Sequence, residues 1–379
     1  MKKYISALLF SLICLALCAC GTQSLSDNEK GPDFASISKS GEWDLSYAKM
    51  YSVEEYGAYQ LVTINDELKY LIVPEGENTP SNLPEDITVL KKPLSNVYLA
   101  SSAVMDMICA ISADDYVRLS GTKRDDWCID KAAELMDEGK MLYAGKYSEP
   151  DFELILSKNC SLAIENTMIF HSPQTKEKLE ELGIPVLVEQ SSYEEHPLGR
   201  LEWIRLYGLL FDRQSEADAF FEKSLSMADE YIAASESGKK IAFFYVTASG
   251  AVSVKKPQDY MAKIIRMAGG EYVPGNVDED EKNALSTINM QMEEFYADAK
   301  DADILIYNST INDDVDSVQD ILSKSDLFKD FKAVKDNRVY ETGANFFQES
   351  TGVCSMIKDV NIVVNDGSED GLYFLTHLK

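Results

Sequence analysis

The sequence predicts an α/β protein of two Rossmann-like lobes, each with a central and mostly parallel sheet, joined by one long rigid inter-lobe helix. Three observations predict it. From Val97 onward, short apolar runs alternate with amphipathic stretches of about ten residues, the pattern of a parallel sheet covered on both faces. The same alternation restarts after residue 238. Between the two series lies LGRLEWIRLYGLLF, apolar at Leu198, Leu201, Trp203, Ile204, Leu206, Tyr207, Leu210 and Phe211. A helix apolar on nearly every side is buried between other elements.

Length and charge bound the rest. A chain of 379 residues exceeds the ~250 to 300 at which single cores stop growing, so about two domains are expected. The net charge of −28 repels phosphate backbones and anionic headgroups, which excludes direct nucleic-acid binding and polybasic membrane attachment. His171, His196 and His377 are the only histidines, too few for a soluble site built from several imidazoles.

In chain order, Lys2 and Lys3 precede an apolar run from Tyr4 to Ala19, too short for a spanning helix of ~20 residues. Its end reads LCAC and then Gly21. This is similar to the lipobox of bacterial lipoproteins, which implies cleavage after residue 19 and thioether lipidation of Cys20. Two lysines and no acids leave with residues 1–19, so the mature chain is more negative still. Residues 20–40 are Ser-, Asp-, Asn-, Glu-, Gly- and Pro-rich and read as a flexible tether. YQLVTI and KYLIV, within residues 43–73, read as edge strands or a hairpin, followed by a loop with Pro74, Pro80 and Pro84.

The N-terminal lobe spans residues 41–197. NVYLAS is a strand, and Ser101 or Ser102 caps a helix with the apolar face Val104, Met107, Ile108 and Ile111. YVRLSGT is the next strand, and IDKAAELMDEG a helix closed by Gly139. MLYAG leads into a helix with Phe152, Ile155 and Leu156. SLAIE is a strand, SPQTKEKLEELG a helix with Pro173 in its first turn and Gly183 past its end, and IPVLVEQ a strand. Residues 198–237 hold the spanning helix and a second helix, DRQSEADAFFEKSLSMADEYI. The C-terminal lobe, 238–379, carries strand KKIAFFYVTA, helix DYMAKIIRMAGG, helix INMQMEEFYADAKDA, and strands DILIYNS and RVYETG. Cys109, Cys128, Cys160 and Cys354 allow three pairings and lack metal-ligand spacing; buried free thiols are the expectation for most of them.

The segments KPLSNVYLASS, DFELILSKNCSLAIE, LEELGIPVLVE, PLGRLEWIRLYGLLF and INMQMEEFYADAKDADILIYN, in this order and spacing, resemble one family. It is the helical-backbone class of ABC-transporter substrate-binding proteins that take up ferric siderophores, haem or cobalamin, and the match runs from about residue 91 to 365. The resemblance implies ligand held in a cleft between lobes that move little. It implies a permease and its ATPase as partners, a monomer lipid-anchored outside the cytoplasmic membrane, and no cofactor beyond the transported chelate or corrinoid. It also implies one permease-docking glutamate per lobe near a helix start, carried here by Glu153 in DFELIL and Glu293 in MEEFY. A first-turn Glu is equally what a helix dipole favours without any partner.

Ligands of open α/β sheets sit beyond the carboxyl ends of the strands. In the first lobe that position selects Ser101, Ser102, Lys123, Arg124, Trp127, Lys146, Tyr147, Asn166, Met168, Phe170 and Tyr193. In the second it selects Tyr245, Thr247, Tyr260, Asn308, Phe346 and Phe347. Aromatic walls suit a bulky ligand, and the cluster Lys123, Arg124 and Lys146 suits its carboxylates, which favours an anionic iron complex over cobalamin. Any single Tyr or Phe here is as well explained by packing. His171 and His196 read as surface or hydrogen-bonded residues rather than axial ligands. A two-lobe chelatase-like enzyme is the first rival, yet GxSxG, GxxxxGK[ST], HExxH and a strand-borne GxGxxG are all absent, so no catalytic residue is assigned. The pairs Asp125/Asp126, Glu194/Glu195 and Asp313/Asp314 read as solvated turns. A zinc- or manganese-binding lipoprotein needs more histidines, so no metal ligand is assigned, and a surface adhesin or sensor would lack the docking glutamates.

Overall fold

A computed structural model describes residues 31–233, 235–275, 287–310 and 315–379. The expected signal peptide, the expected lipidation position Cys20, the first part of the expected tether, and Asp313 and Asp314 lie outside the described residues.

The N-terminal strands form a sheet of their own, more than the expected hairpin. β1 (Gly41–Glu42), β2 (Tyr51–Tyr56), β3 (Tyr59–Ile64), β4 (Leu68–Val73) and β5 (Ile87–Lys91) pair in sequence order, antiparallel except for β4 with β5. Asn65 and Asp66 both adopt positive φ, 52° and 57°, in the three-residue turn that joins β3 to β4. Both faces are apolar, so the sheet is covered twice. Val53, Val62, Ile64 and Tyr70 enter the main core, while Tyr59, Leu61, Leu71 and Val73 are packed by Phe34 and Ile37. The second half of the expected tether is therefore pinned: Phe34 N–H donates to Ser81 O at 2.9 Å and Ser40 N–H to Glu55 O at 2.7 Å.

The N-lobe proper runs β6 (Val97–Leu99), α1 (Ser102–Ala110), β7 (Val117–Ser120), α2 (Asp130–Asp137), β8 (Leu142–Tyr143), the small hairpin β9 (Gly145–Lys146) and β10 (Glu149–Pro150), α3 (Phe152–Ser157), β11 (Ala163–Glu165), α4 (Pro173–Glu181) and β12 (Val186–Val188). Its main sheet has the order β12-β11-β6-β7-β8, with every pairing parallel. The chain leaves β6 toward β7 and later returns to its other side with β11. The crevice beyond β6 and β11 is therefore the switch point where such sheets bind ligands.

The inter-lobe helix α5 (Pro197–Leu210) is buried at nearly every position, as its composition predicts, and packs against α1 on one side and the C-lobe on the other. It turns at Asp212 into α6 (Gln214–Asp229), which folds back along it. A Cβ at Gly208 would lie 2.6 Å from Ala217 Cβ, so this close return requires glycine.

The C-lobe comprises β13 (Lys240–Val246), β14 (Val252–Lys255), α7 (Tyr260–Met267), β15 (Glu271–Val273), β16 (Thr287–Met290), α8 (Met292–Ala299), β17 (Ile304–Tyr307), α9 (Val318–Lys324), α10 (Lys332–Lys335), β18 (Val339–Thr342), α11 (Val353–Val364) and β19 (Leu375–His377). Its sheet runs β16-β14-β13-β17-β18-β19, with β15 also on β13. β13, β15, β17 and β18 are parallel, β14 and β19 run antiparallel to their neighbours among them, and β16 pairs antiparallel with β14. The stretch expected as one helix from Ile288 divides. Thr287–Met290 pairs with β14 as a strand, and the helix starts only at Met292. Among the described residues no helix is long and apolar enough to cross a membrane.

Candidate ligand-binding cleft

A cleft of about 210 Å³ opens where α5 begins, between the β12–α5 connection and the C-lobe. Ser192 and Arg200 line it from the linker side. Phe243, Lys255, Tyr260, Asn308, Thr310, Phe346, Phe347, Glu349, Ser350 and Val353 line it from the C-lobe. Each arrives by local structure. Arg200 sits in the first turn of α5, which Pro197 starts and His196 caps by accepting the Leu198 N–H at Nδ1, 3.2 Å away. Tyr260 opens α7, capped by Asp259, whose carboxylate accepts the Met261 N–H at 2.8 Å. Asn308 directly follows β17, and its Oδ1 accepts from Thr310 Oγ1 at 2.5 Å.

The electrostatic centre of the cleft is Tyr260. The Arg200 guanidinium lies 3.8 Å from its ring centroid and the Lys255 ammonium 6.0 Å. The Arg200 side chain makes no hydrogen bond or ion pair among the described residues, so its planar fork of donors stays available beside an aromatic face. Lys255 stands 3.8 Å from Asp259. The acid in the lining is already engaged, since Glu349 accepts from Asn345 Nδ2 at 2.9 Å and from Tyr373 OH at 2.6 Å. Behind the cleft, burial pushes the Glu189 carboxyl up, against hydrogen bonds from Ser191 and Ser101 and the nearby charge of Arg200. The arrangement offers two cations and an aromatic wall to a bound anion.

Of the residues expected from strand ends, the cleft brings together Tyr260, Asn308, Phe346 and Phe347. The basic cluster is not brought there. Arg124 forms a bidentate pair with Asp137, at 2.9 and 2.7 Å. Lys146 pairs with Glu149 at 3.3 Å in the β9–β10 hairpin, and Lys123 faces the Tyr143 ring. Ser101 is buried as the N-cap position of α1, bonded to Glu189, and Ser102 is half-buried beside it. Trp127 is buried with its indole N–H unpaired among the described residues, and Tyr147 packs on the apolar layer under the sheet. Asn166 caps a short turn by accepting the Met168 N–H, while Met168 and Phe170 stand exposed on that turn. Tyr245 lines a narrow crevice beside Asn308, and the Thr247 hydroxyl donates to Ala251 O.

Tyr193 falls in a second hollow of about 440 Å³, with Tyr47, Lys49, His196 and Lys263. There His196 stacks on Tyr47 at 4.9 Å, and burial holds its imidazole below the usual value. His171 is exposed, and His377 contacts Glu369 and Asn337. Sequence reasoning missed Arg200, Lys255, Ser192, Glu349 and Ser350. Arg200 is one of two cations, with Arg205, in the otherwise mostly apolar stretch LGRLEWIRLYGLLF, whose pattern speaks to packing alone. Glu153 and Glu293 are exposed in the first turns of α3 and α8, one per lobe. Glu194, expected in a solvated turn, is buried and accepts the N–H groups of Lys49 and Met50 and the Trp203 indole N–H. Cys109, Cys160 and Cys354 remain thiols, and burial raises the pKa of each.

Two α/β lobes on a buried connecting helix, with a cation-bearing cleft at that helix's start, define a two-lobe binding protein. A family profile described as periplasmic binding protein matches residues 101–346, and the chain belongs to that family. An uncharacterized lipoprotein of Methanocaldococcus jannaschii, MJ0878, is 25% identical over 297 residues, covering 74% of this chain and 68% of its own. A second uncharacterized lipoprotein of that organism, MJ0872, is 24% identical over 295 residues, covering 74% and 71%. Among solved structures, a periplasmic binding protein of Veillonella parvula superposes with a TM-score of 0.58 at 15% identity, covering 73% of this chain and 94% of its own. The periplasmic haem-binding protein HutB of Vibrio cholerae gives 0.57 at 14%, covering 71% and 98%. These likenesses concern the fold. The profile begins at Ser101, after the five-stranded N-terminal sheet.

Proposed function

We propose that this chain is the extracytoplasmic ligand-capturing lipoprotein of an ABC importer, holding an anionic iron chelate in the inter-lobe cleft and handing it to a permease and its ATPase. The single observation that carries the reading is Arg200, stacked on Tyr260 at 3.8 Å beside Lys255 with its guanidinium unpaired among the described residues. A cation held on an aromatic face inside a cleft is arranged for a planar or carboxylate-bearing anion. Volume separates the candidate ligands. At about 210 Å³ the cleft falls below the ~300 to 1,000 Å³ of typical small-molecule sites, which favours a compact chelate over a corrinoid. Cobalamin is the second reading, and it requires the lobes to part further.

Membership of the family and relatives that are named lipoproteins support anchoring through Cys20. Glu153 and Glu293 are assigned to permease docking, where exposed charges on separate lobes set orientation more than affinity. The lobes divide at residues 41–197 and 238–379 about the 198–237 linker, and the protein acts as a monomer without enzymatic activity.

Titration calorimetry with ferric citrate, a ferric hydroxamate, haemin and cyanocobalamin tests the ligand class. Saturable binding of a ferric chelate that Arg200→Ala weakens is the expected result, and tight binding of cyanocobalamin alone would overturn the iron reading. Reversing both glutamates in a reconstituted transporter tests docking: undiminished ligand-stimulated ATPase would remove them from the interface.

A further inference from the structure

Residues 343–352, between β18 and α11, take part in two structures at once. On one side Phe346, Phe347, Glu349 and Ser350 line the cleft. On the other, the same segment is bonded to the N-lobe. Gln348 Oε1 accepts the Cys128 N–H at 2.8 Å, and its Nε2 donates to Asp126 O at 2.7 Å. Ser350 Oγ donates to Ala103 O at 2.7 Å. Thr351 donates twice to one oxygen of Asp106, from its N–H at 2.7 Å and from Oγ1 at 2.6 Å.

These contacts reach two separate parts of the N-lobe. Ala103 and Asp106 lie on α1, the helix that leaves the switch-point strand β6 and packs on α5. Asp126 and Cys128 lie on the connection between β7 and α2. Gln348 is buried, and Asp106 is half-buried against the segment. Hydrogen bonds shielded from water in this way open together only when the surfaces part, because each one left unmade strands a desolvated group.

We infer that residues 343–352 form a clasp that sets the register of the two lobes, with Asp106 and Gln348 as positioning residues that hold the cleft wall from behind. Neither lines the cleft. A ligand pressed against Phe346 and Phe347 acts on the same short segment that bonds the lobes, so occupancy and lobe register are linked through it. The role of the clasp in capture rests on the proposed reading of the cleft, but its mechanics do not.

Hydrogen exchange on the ligand-free full chain tests it. In the unsubstituted protein the amides of Cys128 and Thr351 exchange slowly and at a common rate. Gln348→Ala raises the rate tenfold or more at Thr351 as well as at Cys128, although the acceptor of Thr351 is untouched. Asp106→Ala does the converse. Thr351→Ser, which keeps both donors, leaves the rates as they were. Small-angle scattering shows a wider distribution of interatomic distances for the two alanine variants, which a local structural role would not produce. Acceleration confined to the amide next to each substitution overturns the clasp. Should Gln348→Ala fail to fold, Gln348→Glu removes the donor to Asp126 O while keeping an acceptor for Cys128, and permits the same comparison. No ligand enters the experiment. A chain that binds no chelate leaves the exchange result standing, and one that binds chelates but shows independent amides loses only the clasp.

Discussion

Glu202 and Glu165 are both fully buried, at 0% exposure, but in regions that treat a carboxyl oppositely. Glu202, on the inter-lobe helix, accepts the N–H groups of Ser46, Tyr47 and Ala48 at 2.8 to 2.9 Å, with Arg205 3.4 Å away. Glu194 continues the series with Lys49 and Met50, so successive backbone donors of one segment are met by two carboxylates. Gly199 makes the approach feasible, since a Cβ there would stand 2.9 Å from Tyr47 O. Glu165, at the end of β11, has no hydrogen bond to either oxygen among the described residues, and burial pushes it up to about 8. Donors replace water in the first region. In the second nothing does, and the carboxyl keeps its proton instead. The first region thereby clamps the N-terminal sheet, which lies outside the family match, onto the helix that joins the lobes.

The largest loss of stability expected from a single substitution in this contrast is at Glu202. Glu202→Ala takes the acceptor from the N–H groups of Ser46, Tyr47 and Ala48, of which Ala48 is buried, and leaves Arg205 without one of its carboxylates; it should cost about 3 kcal/mol in urea unfolding. Glu202→Gln, which keeps one acceptor, should cost less. A loss below about 1 kcal/mol for the alanine variant would show that segment 46–50 finds other acceptors and that the clamp is not needed.

Glu165 comes next and carries a pH signature. Its folded pKa, about 8, lies above the ordinary 4.5, so the folded chain binds this proton more tightly than the unfolded chain. Stability is full below about pH 4.5 and falls as pH rises, and the loss is complete above about pH 8. The swing is on the order of 4 kcal/mol. Glu165→Gln removes the titration, so its unfolding curves at pH 5 and pH 9 should differ less than those of the unsubstituted chain. Equal pH dependence in both would mean that water or a partner reaches the carboxyl.

The comparison also marks what was legible in the sequence. Apolar periodicity is local, and it placed strands such as Ile304–Tyr307 and the all-round apolar helix from Pro197. The alternation YQLVTI and KYLIV was equally visible, but the pairing with Ile87–Lys91 that makes a sheet is a long-range fact. The same limit hid the site. That Tyr260, Phe346 and Phe347 follow strand ends can be counted along the chain. That Arg200 meets Tyr260 depends on how α5 crosses α7. Glu194 and Glu195 look alike in sequence, yet one is buried among N–H donors and the other is exposed and paired with Lys263.

Among cations the contrast recurs as Arg200 against Arg124. Arg200 is stacked on Tyr260 and unpaired among the described residues, so Arg200→Ala should weaken an anionic ferric chelate by about 2 to 3 kcal/mol while changing stability little. Retention of full affinity would move the ligand away from this end of the cleft.

The smallest effect sharpens the comparison most, because it concerns the residue that position along the chain favours. Arg124 follows a strand end and carries the same guanidinium, but both arms of its fork are spent on Asp137. That pair is exposed, so water and salt screen it, and it holds the side chain against the surface of α2 rather than toward the cleft. Arg124→Ala should therefore leave chelate affinity unchanged in the titration that registers the loss at Arg200. Asp137→Asn supplies the decisive control, since it frees the guanidinium without removing it. If freeing Arg124 strengthens binding of the chelate, the loop after β7 reaches the ligand and its ion pair competes with capture. If affinity stays flat in both variants, having its donors unspent and lying in the cleft, rather than following a strand, is what makes an arginine of this chain a ligand contact.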